Sequence, residues 1–286
     1  MKSVLLTAIL VLFSGNFEAQ AKSFEVLNPK IEQGSVLIVR IVPQWQAKAV
    51  FNPAISVFGK HYLPNKYGEV FVGVDPEEKP GKYATTLVEY GRGVRLDWDY
   101  EKIEVLDRKF PISRVSRNMG TIDTVRYKKD RDRINKAYQL ANRHENYANG
   151  RFVNPFDTVT VTDEFYTKRI FLDGTSIHRG TDLKAAVGTS VYATNSGTVI
   201  LADRDFLLEG NMVIIDHGSG ILSYYLHLSR INVHEGQFVK KGEAIALSGD
   251  TGLGVRYPHL HFAIKVGGIS VDPLRFIETM NQYINR

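Results

Sequence analysis

The chain has 286 residues, no cysteine and a formal net charge of +5, and its length favours two domains. Hydrophobic residues make up 43% of it and charged residues 23%, a globular composition that excludes a disordered or collagen-like chain. The absence of cysteine excludes disulfide scaffolds, thiolate metal sites and cysteine nucleophiles. No apolar run reaches the roughly 20 residues of a membrane helix, so a multi-span membrane protein is excluded.

Residues 1–21 predict a secretory signal peptide. Lys2 gives a positive start, the stretch from Val4 to Phe13 is apolar apart from Thr7, and Ala19-Gln20-Ala21 forms a small-x-small cleavage site. The alternative is a retained membrane anchor, but this apolar stretch is too short to span the hydrocarbon core. We therefore expect export, either to the periplasm or out of the cell.

Residues 22–108 predict an immunoglobulin-like β-sandwich, because several short strands in such a span are typical of one. The segment from Val94 to Tyr100 alternates apolar and charged residues, which predicts a strand whose apolar side chains are buried. No catalytic cluster occurs in this region. Its other strand candidates, separated by turn clusters, span residues 36–42, 69–74 and 83–90.

Residues 109–150 predict a basic and partly helical linker. Residues 114–143 hold 9 Lys or Arg against 3 Asp or Glu, whereas the flanking regions are close to neutral. Such a patch favours a polyanion, and in an exported chain an anionic wall polymer or a membrane surface fits better than nucleic acid. The interpretation we favour is a solvated linker helix with one apolar stripe formed by Ile134, Ala137, Tyr138 and Ala141.

Residues 151–286 predict a second β-rich region, a curled antiparallel sheet or barrel-like sandwich. No helix-length periodic segment interrupts its strands, so the fold class is all-β with a short helical linker. The strand candidates span residues 190–193, 197–202, 212–216, 221–226, 244–248 and 259–266.

Six of the eight histidines lie between His178 and His261. In His259-Leu260-His261 both imidazoles project to one side of a predicted strand, as a bidentate metal edge or as two solvent-facing residues. His178 and Asp182 are four residues apart, and Gly180 allows the backbone to bend between them. Such nitrogen and oxygen ligands suit Zn²⁺, and the alternative is a local His–Asp ion pair.

The remaining histidines supply two spare imidazoles. His227 ends an aromatic strand, and taken alone it is interpreted as a core residue; His217 is interpreted as structural. A metal hydrolase needs a polarised water, a proton acceptor and a donor to the developing oxyanion. The HExxH helix of many metalloproteases is absent, so spare histidines could fill the last two roles. No function is assigned to His61, His144 and His234.

Five motifs follow one another along the C-terminal half: His178 to Asp182, Gly210-Asn211, Asp216-His217-Gly218, Tyr225 to Ser229 and Pro258 to Phe262. In order and approximate spacing they resemble the lysostaphin-type zinc endopeptidases, a family that cleaves peptide cross-links in bacterial peptidoglycan. The resemblance extends over about residues 152–276 and includes a hairpin at 233–245 that is typical of that fold.

The resemblance implies that His178, Asp182 and His261 hold one Zn²⁺ per chain. It further implies that His227 and His259 are catalytic, one handling the proton of the attacking water and the other stabilising the oxyanion, with the assignment left open.

Three further positions are expected at the substrate groove. Asn211 matches a groove position of the family. Arg256 and Tyr257 border the groove. They stand where the family usually has small residues before the Pro-His-Leu-His motif, so the preference for a particular peptide stays open. Ala263 replaces a glutamate of many members, but this position is outside the ligand set.

The resulting interpretation is an exported zinc endopeptidase that acts on peptidoglycan as a monomer and binds no nucleic acid. The alternative is a non-catalytic, wall-binding regulator of a peptidoglycan amidase. Such relatives typically lose metal ligands, whereas all five key positions are present here. A lipoyl- or biotin-like carrier is a third reading of the 236–245 hairpin, but Lys240 and Lys241 lie in no attachment motif.

Overall fold

The computed structural model describes residues 22–43, 52–142 and 144–284, with backbone alone for residues 95–99. The predicted signal peptide at 1–21 lies outside the described residues. Strands dominate and two helices accompany them, which confirms an all-β fold with a helical linker. Within the described ranges, neither helix has the length and apolar character needed to cross a membrane.

The N-terminal strands form two sheets, with strand orders β1-β3-β6 and β2-β8-β7-β4-β5. Both sheets contribute to one apolar core, for example through Leu37 and Leu87. The immunoglobulin-like topology expected for this region stays a prediction. The strands are β1 (Phe24–Val26), β2 (Lys30–Glu32), β3 (Val36–Ile41), β4 (Pro53–Val57), β5 (Lys60–Tyr62), β6 (Glu69–Gly73), β7 (Gly81–Glu89) and β8 (Arg95–Leu106).

Strand β8 exists as predicted, but its facing differs from the expectation. Val94, just before the strand, and Tyr100 are 55% and 53% exposed, whereas Ile103 and Val105 are buried. The pairing of β7 with β8 shifts register after Thr86. Between the pairs Thr86–Tyr100 and Val88–Arg95, β8 is longer than β7 by an odd number of residues, and such a shift reverses which side chains face the core. Tyr100 is therefore exposed, although the alternation predicted it to be buried.

The central sheet of the C-terminal half has eight strands in the order β10-β13-β21-β17-β16-β15-β19, with β22 also paired to β21. Its pairs are antiparallel, as predicted. Two small sheets, β12-β11-β9 and β14-β20-β18, flank it. The strands are β9 (Ile112–Arg114), β10 (Val161–Asp163), β11 (Lys168–Ile170), β12 (Thr175–Ile177), β13 (Thr181–Lys184), β14 (Ser190–Tyr192), β15 (Gly197–Phe206), β16 (Gly210–Asp216), β17 (Ile221–Leu228), β18 (Arg230–Ile231), β19 (Phe238–Val239), β20 (Ala244–Leu247), β21 (His259–Val266) and β22 (Ile269–Val271).

The two faces of the central sheet have different neighbours. One face packs into a core that also includes Val36, Ile38 and Phe71 of the N-terminal half. The opposite face, which includes Tyr224 and Ala263, packs against the linker helix. Side chains alternate between the two faces along a strand. His259 and His261 of β21 therefore lie on the same face as Ala263, which is the face that packs against the helix.

Helix α1 (Thr124–Gln139) begins at Asp123, whose side chain accepts hydrogen bonds from the first turn. It buries Ile134 and Ala137 of the predicted apolar stripe. Its other residues are exposed or half-buried, and its arginines form ion pairs within the chain. The ion pairs are Arg126–Asp205, Arg131–Glu209, Arg133–Asp203 and Arg133–Glu235.

Helix α2 (Pro273–Tyr283) follows the last strand, where the sequence analysis placed no helix. Asp272 caps it and Pro273 stands in its first turn, a combination that favours helix initiation. It buries Phe276, Ile277 and Met280. The apolar residues were visible in the sequence, but a single short helix at a chain end gives little periodicity from which to predict it.

Candidate metal centre

Two paired strands and the residue that directly follows strand β12 bring three ligand candidates together. Strands β13 and β21 pair so that Asp182 lies opposite His261. His178 Nε2 lies 2.9 Å from Asp182 Oδ1 and 3.0 Å from His261 Nδ1. His261 Nδ1 lies 2.9 Å from the same Asp182 oxygen. The structure thus unites His178, Asp182 and His261 in a group that could hold a metal ion.

The orientation of these side chains calls for a positive charge among them. His178 Nδ1 lies 2.9 Å from the carbonyl oxygen of Glu164, and since a carbonyl only accepts, Nδ1 carries the N–H. The neutral ring therefore turns the lone pair of Nε2 toward the Asp182 carboxylate, and two lone pairs at this distance repel. A cation or a proton between them removes the repulsion. Two imidazoles and a carboxylate are a Zn²⁺ donor set, so the residues fit that metal.

Burial and mutual contacts together set the pKa values of Asp182 and His261. Asp182 is 8% exposed and His178 is 4% exposed. Burial alone would raise the pKa of Asp182, but its contacts with His178 and His261 hold that pKa well below its usual range. Burial lowers the pKa of His261. An ionised carboxylate and a neutral imidazole are the forms that bind a metal.

Gly180 provides space beside the ligands. A Cβ at this position would lie 2.5 Å from Nε2 of His261 and 2.8 Å from the carbonyl oxygen of Phe262. Any other residue would therefore displace a ligand ring or the β21 backbone. The sequence predicts that Gly180 permits a bend, and the structure gives it a role in close packing beside His261.

Arg169 supports Asp182 from the neighbouring strand β11. Its Nη2 lies 3.4 Å from Asp182 Oδ2, and its Nε donates to Asp163 Oδ2 at 3.0 Å. Partners of this kind fix the orientation of a metal ligand. Arg169 could not be predicted from the sequence, because a single arginine in a short strand forms no local pattern that indicates a metal site.

The two spare histidines lie beside the ligands. The ring centroids of His227 and His259 are 4.8 Å apart, and those of His227 and His261 are 5.9 Å apart. The Nδ1 atoms of His227 and His259 lie 2.9 Å and 2.8 Å from the carbonyl oxygens of Thr251 and Tyr257. Each Nδ1 therefore donates, which leaves Nε2 of each ring available for chemistry. His259 Nε2 is 3.6 Å from Asp182 Oδ1.

His227 is held in an uncommon backbone conformation. Its φ is 64°, in the left-handed region that residues other than glycine seldom adopt. Such a conformation persists when the surrounding structure fixes it. Burial, with smaller effects from His261 and His259, lowers the pKa of His227 to about 3. The ring is therefore neutral at pH 7.

The three predicted groove residues differ in what their side chains contact. Asn211 Nδ2 donates to the carbonyl oxygen of Leu228 at 2.8 Å, and its Oδ1 accepts from the Asp205 N–H at 3.1 Å. Its amide is thus engaged within the fold. Arg256 is exposed, and Tyr257 is 76% exposed and adjoins His259 through its carbonyl. A role of these residues in substrate binding stays a prediction.

His217 lies apart from this group, in the core. Its Nδ1 donates to the carbonyl oxygen of Ser196 at 2.9 Å, and its Nε2 lies 2.8 Å from the Ser223 hydroxyl. Burial lowers the pKa of His217 to about 4. With both ring nitrogens engaged inside the fold, the structure agrees with a structural interpretation.

Comparison with known families gives this arrangement a context. Residues 176–273 match the model of peptidase family M23, and this span contains the three ligand candidates and both spare histidines. This part of the chain is therefore similar to the M23 peptidases. The resemblance to lysostaphin-type peptidases is therefore confirmed, whereas Arg169 and helix α1 lie before the matched span.

Curated relatives are similar to part of this chain. The chain is 36% identical over 149 residues to the peptidoglycan DD-endopeptidase ShyA of Vibrio cholerae, covering 52% of this chain and 32% of ShyA. It is also 38% identical over 100 residues to the murein hydrolase activator NlpD of Escherichia coli, covering 35% of this chain and 26% of NlpD. The chain thus spans a third or less of these relatives.

One solved structure shares most of the fold. A crystal structure of a putative peptidase M23 from Pseudomonas aeruginosa superposes with a TM-score of 0.61 and covers 86% of this chain and 93% of its own. Sequence identity is 24%, so the likeness concerns the fold. It extends well beyond the matched M23 span into the N-terminal half.

Proposed function

We propose that this chain is an exported zinc endopeptidase that hydrolyses peptide cross-links of bacterial peptidoglycan. The observation that carries the proposal is the convergence of His178, Asp182 and His261, whose ligand atoms lie within 3.0 Å of one another. The M23 domain and the similarity to ShyA, named a peptidoglycan DD-endopeptidase, support peptidoglycan peptides as substrate. The signal-peptide pattern at residues 1–21 supports export to the compartment where that substrate lies.

His178, Asp182 and His261 would hold the metal. Zinc bound there would polarise a water molecule and the carbonyl of the scissile peptide bond. Arg169 and the carbonyl oxygen of Glu164 keep the carboxylate and the His178 ring in place.

His227 and His259 would supply the proton acceptor and the group that stabilises the oxyanion. The low pKa of His227 keeps its ring neutral, and its Nδ1–H is committed to Thr251, so Nε2 is the atom that accepts a proton. His259 Nε2 lies 3.6 Å from the Asp182 carboxylate, so this nitrogen stands beside the proposed metal. We assign proton acceptance to His227 and stabilisation of the developing oxyanion to His259.

The organisation proposed with this function has four parts. They are a signal peptide at 1–21, an immunoglobulin-like sandwich at 22–108, a basic linker at 109–150 and the peptidase at 151–286, in a monomer. Within the described part of the chain, Lys128, Lys129 and Lys136 of α1 have no ion pair, so these lysines are the proposed contact for an anionic wall polymer or membrane surface.

A non-catalytic regulator is the second candidate, favoured by the similarity to NlpD, named a murein hydrolase activator. The two candidates differ in what the protein does to peptidoglycan by itself. An endopeptidase opens peptide bonds, and a regulator of an amidase leaves all bonds intact until an amidase is added.

The deciding experiment is digestion of isolated peptidoglycan with the zinc-loaded protein, followed by mass analysis of the fragments. We expect cross-linked fragments to be replaced by monomers, each with a new carboxyl or amino end in the peptide. The same protein carrying His261→Gln is the control and should release none. Intact peptidoglycan with the wild-type protein, and amidase products when an amidase is present, would support the regulator instead.

A further inference from the structure

Helix α1 lies outside the matched M23 span, yet two of its side chains bind the turn between β15 and β16. Asp130 Oδ2 accepts a hydrogen bond from the Leu207 N–H at 2.7 Å. Arg131 forms an ion pair with Glu209. The Glu209 side chain is 12% exposed, and its Oε2 has no hydrogen-bond partner among the described residues. Its buried charge therefore depends on Arg131.

The same turn holds the backbone of His227. The carbonyl oxygen of Glu209 accepts from the His227 N–H at 3.0 Å. Glu209 thus contacts helix α1 through its side chain and His227, the proposed catalytic histidine, through its carbonyl oxygen. A shift of this turn would be transmitted to His227 through a single hydrogen bond.

The turn also holds the loop that fixes the His227 ring. Leu207 accepts from the Leu253 N–H at 2.7 Å, and the Asn211 N–H donates to Thr251 Oγ1 at 3.0 Å. A Cβ on Gly210 would lie 2.3 Å from Thr251 Oγ1, so turn and loop are in direct contact. The Thr251 carbonyl receives the His227 Nδ1–H.

We propose that Arg131, with Asp130, positions His227 from the linker helix, through the turn at Glu209. The proposal rests on the catalytic role proposed above for His227. The φ of 64° at His227 requires restraint from its surroundings. The backbone N–H of His227 donates to Glu209 in the turn, and its ring N–H donates to Thr251 in the loop that the turn contacts. The matched M23 span is thus completed by Arg131, and strands β10 and β11 lie between this residue and the start of the span.

The test compares two arginines of one helix in the intact chain. Arg131→Met removes the pair with Glu209, and Arg133→Met removes the pairs with Asp203 and Glu235, which have no contact with His227 among the described residues. Both variants lose one positive charge; Arg131→Met loses one ion pair and Arg133→Met loses two. For each we would measure kcat and KM on a purified cross-linked peptide, bound zinc, and amide hydrogen exchange of residues 225–229 and 249–254.

We expect Arg131→Met to lower kcat roughly tenfold or more, the scale on which small misplacements of a catalytic group act. KM and bound zinc should stay unchanged, and exchange in both segments should accelerate. Arg133→Met should keep kcat and exchange in these segments near the wild-type values. Glu209→Gln should reproduce the Arg131→Met result if the latter variant folds poorly, and Arg131→Lys should restore part of kcat.

The proposal is overturned if Arg131→Met and Glu209→Gln behave like Arg133→Met in both kcat and exchange. A wild-type protein that cuts no peptide while Arg131→Met alone accelerates exchange would instead refute the proposed function and leave the positioning contact standing.

Discussion

The two halves of the molecule both bury polar side chains, but those side chains are satisfied in different ways. In the N-terminal half Asn28 donates to the Val36 carbonyl at 2.7 Å and accepts from the Ile38 N–H at 2.8 Å, so the fold itself completes its hydrogen bonds. In the C-terminal half His178, Asp182 and His261 point their ligand atoms at one another. Buried polar groups that pair with backbone build a fold, whereas groups whose lone pairs converge define a ligand site.

The sharpest test of this contrast replaces one polar residue in each half. His261→Gln should abolish both bound zinc and activity, because three protein ligands become two. Asn28→Ala should lower the free energy of unfolding by about 1–3 kcal/mol, the cost of leaving buried backbone groups unpaired, and retain one zinc. Metal analysis and chemical unfolding of both variants measure the two effects. If Asn28→Ala lost zinc while His261→Gln retained it, the assignment of the ligand site to the C-terminal half would be wrong.

The spare histidines should separate metal binding from turnover. We expect His227→Gln and His259→Gln each to retain zinc and to lower kcat by roughly 10²-fold or more, the usual scale for general acid–base loss. Steady-state kinetics on a cross-linked peptide, together with metal analysis, measures this. Normal turnover in either variant would remove that residue from the proposed mechanism.

Arg169 should affect the affinity for zinc more than the fold. Arg169→Met leaves Asp182 without its guanidinium neighbour, and loss of such support typically weakens metal binding by about 10–100-fold. Competition with a chelator measures the zinc Kd. Arg275→Met, which removes an ion pair to Glu32 at the contact between the halves, is the control and should leave the Kd unchanged. An unchanged Kd in Arg169→Met would show that Asp182 needs no such support.

The smallest predicted effect concerns His217, the buried histidine without a role in the site. Its pKa is lowered to about 4 in the folded chain from about 6.5 when unfolded. The unfolded chain therefore binds more protons between these values, and stability falls as pH decreases from about 6.5 to about 4. We expect His217 to account for about 2 kcal/mol of lost stability between pH 7 and pH 5.

Urea unfolding at both pH values checks this effect. His217→Gln should show a smaller loss of stability on acidification than the wild-type protein. An equal loss in both would mean that the imidazole is accommodated in its charged form.

The parts of the site that lie on one strand could be predicted from the sequence. The alternation in His259-Leu260-His261 predicts two imidazoles on one side, and Leu260 is indeed buried on the other. The convergence of His178, Asp182 and His261 required more, because it depends on the pairing of β13 with β21. Local spacing does not specify that register, so the resemblance to a family supplied it.

The supporting contacts could not be predicted, since they join distant segments through ordinary residues. Arg131 was counted as part of a basic patch, although its charge is used by Glu209 within the chain. The carbonyl oxygens of Glu164 and Thr251 orient two histidines, and every residue has a carbonyl. The exposure of Tyr100 in β8 accompanies a shift in the register between β8 and β7, and alternation along one strand cannot indicate how two strands pair.

The central claim is that His178, Asp182 and His261 bind one zinc ion. Anomalous X-ray scattering at the zinc absorption edge, from crystals of the zinc-loaded protein, tests it most directly. We predict a single peak per chain within coordination distance of all three side chains. A peak elsewhere, or none in crystals of a preparation that cleaves peptidoglycan, would contradict the account.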